Sequence, residues 1–220
     1  MLLNNNDTIV FAGDSITDMG KAKPYGEDSG LGQRLGEGYV HMLSDMMSAT
    51  YPEINLRIVN SGISGNTSTQ LLARWQEDVL DFRPEWISVC IGVNDAMNKF
   101  IYPSRAAMQV SHEEYRSNLE VMAASAKDIA KGFIFVSPYV AEPNINDLLR
   151  REMDVYRQIC RETARKFSCI FVDVQRMLDE YCKYRHQCLV AWDRIHPNRI
   201  GAYLIAKEIL KAIDFDYSHS

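Results

Sequence analysis

The sequence predicts a doubly wound α/β fold, a parallel sheet with helices on both faces. Three observations carry it. Short apolar runs rich in β-branched residues recur along the chain, segments of helical length lie between them, and polar, glycine-bearing loops follow several of the runs. Near-continuous apolar character marks strands buried on both faces, as in a parallel sheet.

The first run is residues 8–12 (TIVFA) and the second residues 56–60 (LRIVN). Residues 86–91 (WISVCI), 133–136 (FIFV) and 169–172 (CIFV) complete the set of strand candidates. Helical segments are predicted over 38–50, 67–81, 112–131, 147–166 and 197–213. In the last of these, Ile200, Tyr203, Leu204, Ala206, Leu210 and Ile213 mix apolar spacings of three and four, with Lys207 and Lys211 on other faces. Pro197 is placed in its first turn, where a missing N–H costs little. There is no internal repeat, low-complexity tract or linker, so residues 1–220 are read as one domain. The stretch 20–38 holds six glycines and reads as a long loop after the first strand. Long loops inside compact domains are often functional.

The chain has 220 residues, a hydrophobic fraction of 46% and a formal charge of −5. The size and apolar content suit one α/β unit with a full core. The acidic balance disfavours nucleic acid, whose phosphates need a basic face, and membrane-surface binding through basic residues. The N-terminal sequence lacks the pattern of a signal peptide, and no apolar run approaches the ~18 residues of a spanning helix. A cytoplasmic protein with no membrane partner is expected. The five cysteines, Cys90, Cys160, Cys169, Cys182 and Cys188, are read as reduced thiols. Cys182, His186 and Cys188 match no common zinc spacing, so no metal site is assigned.

In open parallel sheets, ligands bind beyond the carboxyl ends of the strands. The polar residues at those ends are Asp14, Ser15 and Asp18 after the first run, Ser61, Gly62, Ser64, Gly65 and Asn66 after the second, and Gly92, Asn94 and Asp95 after the third. Trp192, Asp193, Arg194 and His196 precede the last helix. A serine hydroxyl attacks well only when a neutral imidazole takes its proton. Ser15 is therefore read as nucleophile and His196 as base, with Asp193 fixing the tautomer and stabilising the imidazolium. The N–H groups of Ser15 and Gly62 and the amide of Asn94 are assigned to the oxyanion. Asp14, Asp18 and Asp95 are read as loop braces through hydrogen bonds. Trp192 is either core packing or a wall for a sugar ring. Activity should fall on acidification, because only neutral imidazole accepts a proton.

Each residue also has a plainer reading: Ser15 as a helix cap, Asn94 as a turn residue. A metal-dependent phosphoesterase would use Asp14, Asp18, Asp95, Asp193 and His196 as ligands. A carbohydrate-binding module on a degenerate esterase fold is a third class, and a short-chain lipid or thioester hydrolase is the alternative among hydrolases.

The runs Gly13-Asp14-Ser15, Gly62, Gly92-Val93-Asn94-Asp95 and Asp193-Arg194-Ile195-His196-Pro197 resemble, in order, four sequence blocks of the SGNH (GDSL-type) hydrolases. The resemblance implies a flavodoxin-like, three-layer fold around five parallel strands, with no metal or cofactor. The runs GDSITDMGKAKP, VNSGISGNT, ARWQEDVL, IGVND and AWDRIHP further resemble bacterial intracellular acetylxylan esterases. That likeness implies removal of acetyl groups from small acetylated saccharides, with xylo-oligosaccharides as substrates. A homo-oligomer is expected on general grounds of symmetric assembly.

Overall fold

Every apolar run forms a strand. In a computed structural model, which describes residues 1–27, 34–101 and 103–219, the strands are β1 (Thr8–Gly13), β2 (Gly26–Glu27), β3 (Arg57–Gly62), β4 (Trp86–Cys90), β5 (Gly132–Val136) and β6 (Ile170–Val172). They build one sheet in the order β2-β3-β1-β4-β5-β6. All neighbours pair in parallel except β2, which runs antiparallel to β3 with Gly26 opposite Asn60. The sheet thus has six strands where five were expected. The extra one is two residues long and carries no apolar signal of its own; it exists because it satisfies the open backbone groups of β3, which would otherwise be an edge. It lies in the predicted long loop, whose residues 28–33 fall outside the described residues.

The helices are α1 (Ser15–Asp18), α2 (Tyr39–Thr50), α3 (Ser68–Ala73), α4 (Trp75–Asp78), α5 (Val93–Ile101), α6 (His112–Ala126), α7 (Leu148–Lys166), α8 (Val174–Cys182) and α9 (Arg199–Ala212). One group packs α2 and α8 on α9; the other packs α6 on α3 and α7, and α7 on α5. Successive residues of a strand point to opposite faces. Ile9, Val10, Phe11 and Ala12 are all buried, as are Ile134, Phe135 and Val136, so both faces of the sheet are covered.

Local sequence explains the helix starts. Thr67 accepts the Gln70 N–H while the Gln70 side chain accepts the Thr67 N–H, a capping box for α3. The side chains of Ser111 and Asp147 cap α6 and α7 by accepting the N–H groups of Glu114 and Arg150. Such caps contribute about 1 kcal/mol each. Two expectations need correction. The segment 67–81 is not one helix but breaks at Arg74 (φ −107°, ψ 8°). The last helix starts at Arg199, because Asn198 caps the N–H groups of Ile200 and Gly201 and leaves Pro197 outside.

The register brings the chemistry together. Gly13 at the end of β1 lies opposite Gly62 in β3 and Cys90 in β4, so the segments after these strands leave the sheet at one level. Among the described residues, no helix is long and apolar enough to cross a membrane.

Candidate active site

Directly after β1, Asp14 caps α1 by accepting the Ile16 N–H at 2.9 Å. Capping is therefore the work of Asp14, and Ser15 stands at the first helical position with its hydroxyl available. Asp14 is buried, and its second oxygen has no hydrogen-bond partner among the described residues. Burial raises its pKa, the Ile16 hydrogen bond pulls the other way and the charge of Asp95 adds to the rise, leaving the carboxyl at about 7 instead of 3.8.

A carboxyl raised in this way stabilises the fold fully at pH values below 3.8 and loses that contribution as pH rises through about 7. Asp14→Asn keeps the cap and removes the charge. Relative to wild type it should gain stability between pH 4 and pH 8, by a few kcal/mol at most. Urea unfolding at the two pH values checks this, and a gap that does not change with pH would refute it.

The partner segment, Asp193–His196, lies between β6 and α9 and is held from several sides. Asp193 Oδ1 accepts the N–H groups of Ile195 at 3.0 Å and His196 at 2.8 Å. Tyr139 donates its hydroxyl to the Ile195 carbonyl, and the Ala141 N–H donates to the Arg194 carbonyl. Arg194 adopts a left-handed backbone (φ 72°), and its guanidinium pairs with Glu142 and Asp147. A non-glycine residue reaches that conformation at a cost of about 1 kcal/mol or more, offset here by the contacts around it.

This frame sets a hydrogen-bonded chain across 181 positions of sequence: Ser15 Oγ lies 2.9 Å from His196 Nε2. On the far side of the ring, His196 Nδ1 lies 2.6 Å from Asp193 Oδ2. Burial works against the charge of Asp193. The hydrogen bonds from the His196 ring and from the backbone of Ile195 and His196 outweigh it and hold the carboxyl below its usual value. Asp193 is thus an anion that fixes the proton on Nδ1 and leaves Nε2 free to accept from Ser15.

The oxyanion assignments fare unequally. The Gly62 N–H donates to Asn60 Oδ1 at 2.9 Å and is not free to meet a substrate oxygen. Gly62 is glycine for a packing reason: a Cβ there would stand 2.4 Å from the backbone nitrogen of Asp18. The same loop offers another donor. Asn66 N–H closes a turn onto the Ile63 carbonyl, and Gly65 stands at its third position with φ +85°. A positive φ at that position suits a type II turn and glycine. Among the described residues, the N–H groups of Ser15 and Gly65 take no hydrogen-bond partner. Asn94, in the first turn of α5, is 5% exposed and anchors one amide hydrogen on the Asn66 carbonyl at 3.0 Å. Among the described residues, its other amide hydrogen meets no acceptor. The sequence does not separate Gly62 from Gly65, because two glycines sit three apart in one loop and only the Asn60 bond tells them apart.

The remaining candidates are braces or walls. Asp95 is buried and accepts the N–H and hydroxyl of Ser68, tying α5 to α3; burial pushes its pKa up to about 6 despite those bonds. Asp18 Oδ2 accepts the N–H and hydroxyl of Ser64. Both carboxylates serve loop contacts, and among the described residues no group of three or more His, Cys, Asp or Glu is arranged to hold a metal ion. Trp192 is 81% exposed, which removes the core-packing reading within this chain. Beside Gly62, Ile63 and Ser64 opens a cavity of about 690 Å³, closed on its other side by Lys21, Pro24 and Tyr25.

The chain is 38% identical over 220 residues, the full length of both proteins, to an acetylxylan esterase of Geobacillus stearothermophilus. Its fold superposes on the crystal structure of the acetylxylan esterase Axe2 of that organism with a TM-score of 0.96, at 38% identity and full coverage of both chains. Crystal structures of catalytic mutants of Axe2 replace a serine, an aspartate and a histidine by alanine. LAE5, an alpha/beta hydrolase from the metagenome of Lake Arreo, Spain, matches at 40% identity and a TM-score of 0.94 over 98% of each chain. Residues 11–204 match the GDSL-like lipase/acylhydrolase family, and with full-length likeness to an esterase the chain belongs to that family of ester hydrolases.

Proposed function

We propose that this carboxylic ester hydrolase removes acetyl groups from xylo-oligosaccharides through an acyl-enzyme on Ser15. The observation that carries the reading is the Ser15–His196–Asp193 chain of hydrogen bonds at the carboxyl edge of the sheet. The full-length likeness to an acetylxylan esterase supports the substrate class.

Ser15 Oγ attacks the acetyl carbonyl carbon while His196 Nε2 takes the hydroxyl proton. The carbonyl oxygen becomes an oxyanion held by the N–H groups of Ser15 and Gly65 and the free amide hydrogen of Asn94. Collapse breaks the bond to the sugar oxygen, which leaves with the proton from His196. Water then repeats the sequence at the acyl-enzyme, giving acetate and free Ser15. Trp192 offers a solvent-facing ring beside Asp193 on which a sugar can stack. We further read the whole chain as one catalytic domain, working in the cytoplasm as a homo-oligomer, a state that light scattering on the purified protein checks.

A second reading, hydrolysis of longer acyl esters, draws on the cavity of about 690 Å³ beside Gly62, whose lining includes neither Ser15 nor His196. Hydrolysis of p-nitrophenyl acetate against longer acyl esters separates the two, run with a chelator and with a serine-directed organophosphate. The expected result is acetate-selective turnover that ignores the chelator and ends with the organophosphate, followed by acetate release from acetylated xylo-oligosaccharides. Preference for longer acyl chains would move the assignment to lipid or thioester hydrolysis. Loss of activity to the chelator, or no esterase activity, would overturn the serine mechanism.

A further inference from the structure

The break between α3 and α4 places one side chain where no helix surface would put it. Arg74 joins the two helices, and its side chain is only 14% exposed, turned in beneath the carboxyl edge of the sheet. Its Nε donates to Asn66 Oδ1 at 2.8 Å. Nη1 donates to the Ser61 carbonyl at 2.8 Å, with the Ser61 hydroxyl at 3.0 Å and Asp78 Oδ2 at 2.9 Å. Nη2 donates to the Gly13 carbonyl at 3.1 Å. Asp78 in turn accepts the hydroxyl of Tyr25 through its other oxygen.

These acceptors share a feature that general packing does not require. Gly13 lies two residues before Ser15. Ser61 and Asn66 bound the loop that carries Gly65, and Asn66 directly follows it. Asn66 also supplies the carbonyl that anchors the Asn94 amide. One guanidinium therefore holds a neighbour or an anchor of every donor assigned to the oxyanion. It also spans β1 and β3, whose following segments meet through the Ile63 N–H on the Gly13 carbonyl and the Ser64 N–H and hydroxyl on Asp18 Oδ2. The planar fork with its five N–H groups can serve acceptors on several sides at once, which an ammonium on a flexible stem does not reproduce.

We propose that Arg74 is a positioning residue of the oxyanion hole, fixing the distance between the Ser15, Gly65 and Asn94 donors without touching substrate. The inference rests on the oxyanion reading above. Donors act on the developing charge only when placed within a few tenths of an ångström, and a misplacement of 1 Å from outside the site costs about 10²-fold. The substrate in its ground state makes little use of them, so kcat should respond and KM should not.

The test uses Arg74→Lys, Asn94→Ala and the double variant in the full chain, with p-nitrophenyl acetate as substrate and thermal unfolding as control. Arg74→Lys should lose about tenfold or more in kcat with KM within twofold, at a melting temperature close to wild type. In the Asn94→Ala background the same substitution should cost at least threefold less, since the two act on one geometry. Unchanged kcat in a folded Arg74→Lys protein, or losses that multiply in full, would overturn the inference. If Arg74→Lys does not fold, Asp78→Asn replaces it: loosening the guanidinium should lower kcat about threefold without raising KM, and an unaltered kcat would again refute the role. An Asn94→Ala enzyme with full activity would remove the oxyanion reading and this inference with it. A crippled Asn94→Ala enzyme beside an unimpaired Arg74→Lys enzyme would remove the inference alone.

Discussion

Ser15→Ala should abolish turnover, by on the order of 10⁴-fold or more, while leaving the fold as stable as wild type. The two halves of that expectation come from different parts of the structure. In the proposed mechanism the hydroxyl forms the acyl-enzyme, and among the described residues no other nucleophile hydrogen-bonds His196 Nε2. What remains without it is the contribution of bound, oriented substrate and oxyanion donors to attack by water. Stability depends little on the same hydroxyl, because Asp14 caps α1 and the side chain of Ser15 is only half-buried. A half-exposed hydroxyl with one partner contributes about 1 kcal/mol or less. Steady-state kinetics and a thermal melt of the variant check both halves. Wild-type-like rates would refute the nucleophile, and a large loss of stability would mean that Ser15 also holds the loop.

Asp193→Asn should lose about 10³- to 10⁴-fold in kcat, a larger effect than its change of one atom suggests. Oδ1 accepts two backbone N–H groups, from Ile195 and His196. An asparagine must keep its carbonyl oxygen there, since its NH₂ group would face two other donors. The NH₂ group is then forced toward His196 Nδ1, which must accept, and the ring proton moves to Nε2. In that tautomer the ring cannot take the proton of Ser15. The loop keeps its shape and its backbone bonds, so the circular dichroism spectrum should be unchanged. A kcat within tenfold of wild type would reduce Asp193 to a loop brace. The same substitution also removes the anion that stabilises the imidazolium, so the loss persists at alkaline pH.

The main strands and the three residues that the structure joins in one hydrogen-bonded chain were legible in the sequence because both leave strong local marks. Apolar runs such as TIVFA and FIFV identify their strands without help from the rest of the chain, and Ser15, Asp193 and His196 stand beside such marks. Features that failed are ones decided by distant partners. β2 has two residues and exists only because β3 offers an open edge. The split at Arg74 follows from acceptors on β1 and β3, while the sequence over 67–81 favours an unbroken helix on its own. Gly62 and Gly65 look equivalent until the side chain of Asn60 takes the N–H of one of them. Helix α8 is a different kind of miss: Val174, Leu178 and the half-buried Met177 and Tyr181 carry a helical stripe close behind the short β6, yet no helical segment is predicted over 174–182.

The separation of 181 residues between Ser15 and His196 has a consequence in time as well as in space. Helical turns and the contacts between neighbouring strands form early in folding, because the loops they close are short. His196 and Asp193 lie in a loop positioned by Tyr139, Ala141 and α9, and none of these is local to Ser15. Catalytic competence is therefore expected to arrive with the last long-range docking event. An ester hydrolysed during refolding would act as a clock for completion of the native state, running behind any signal from secondary structure.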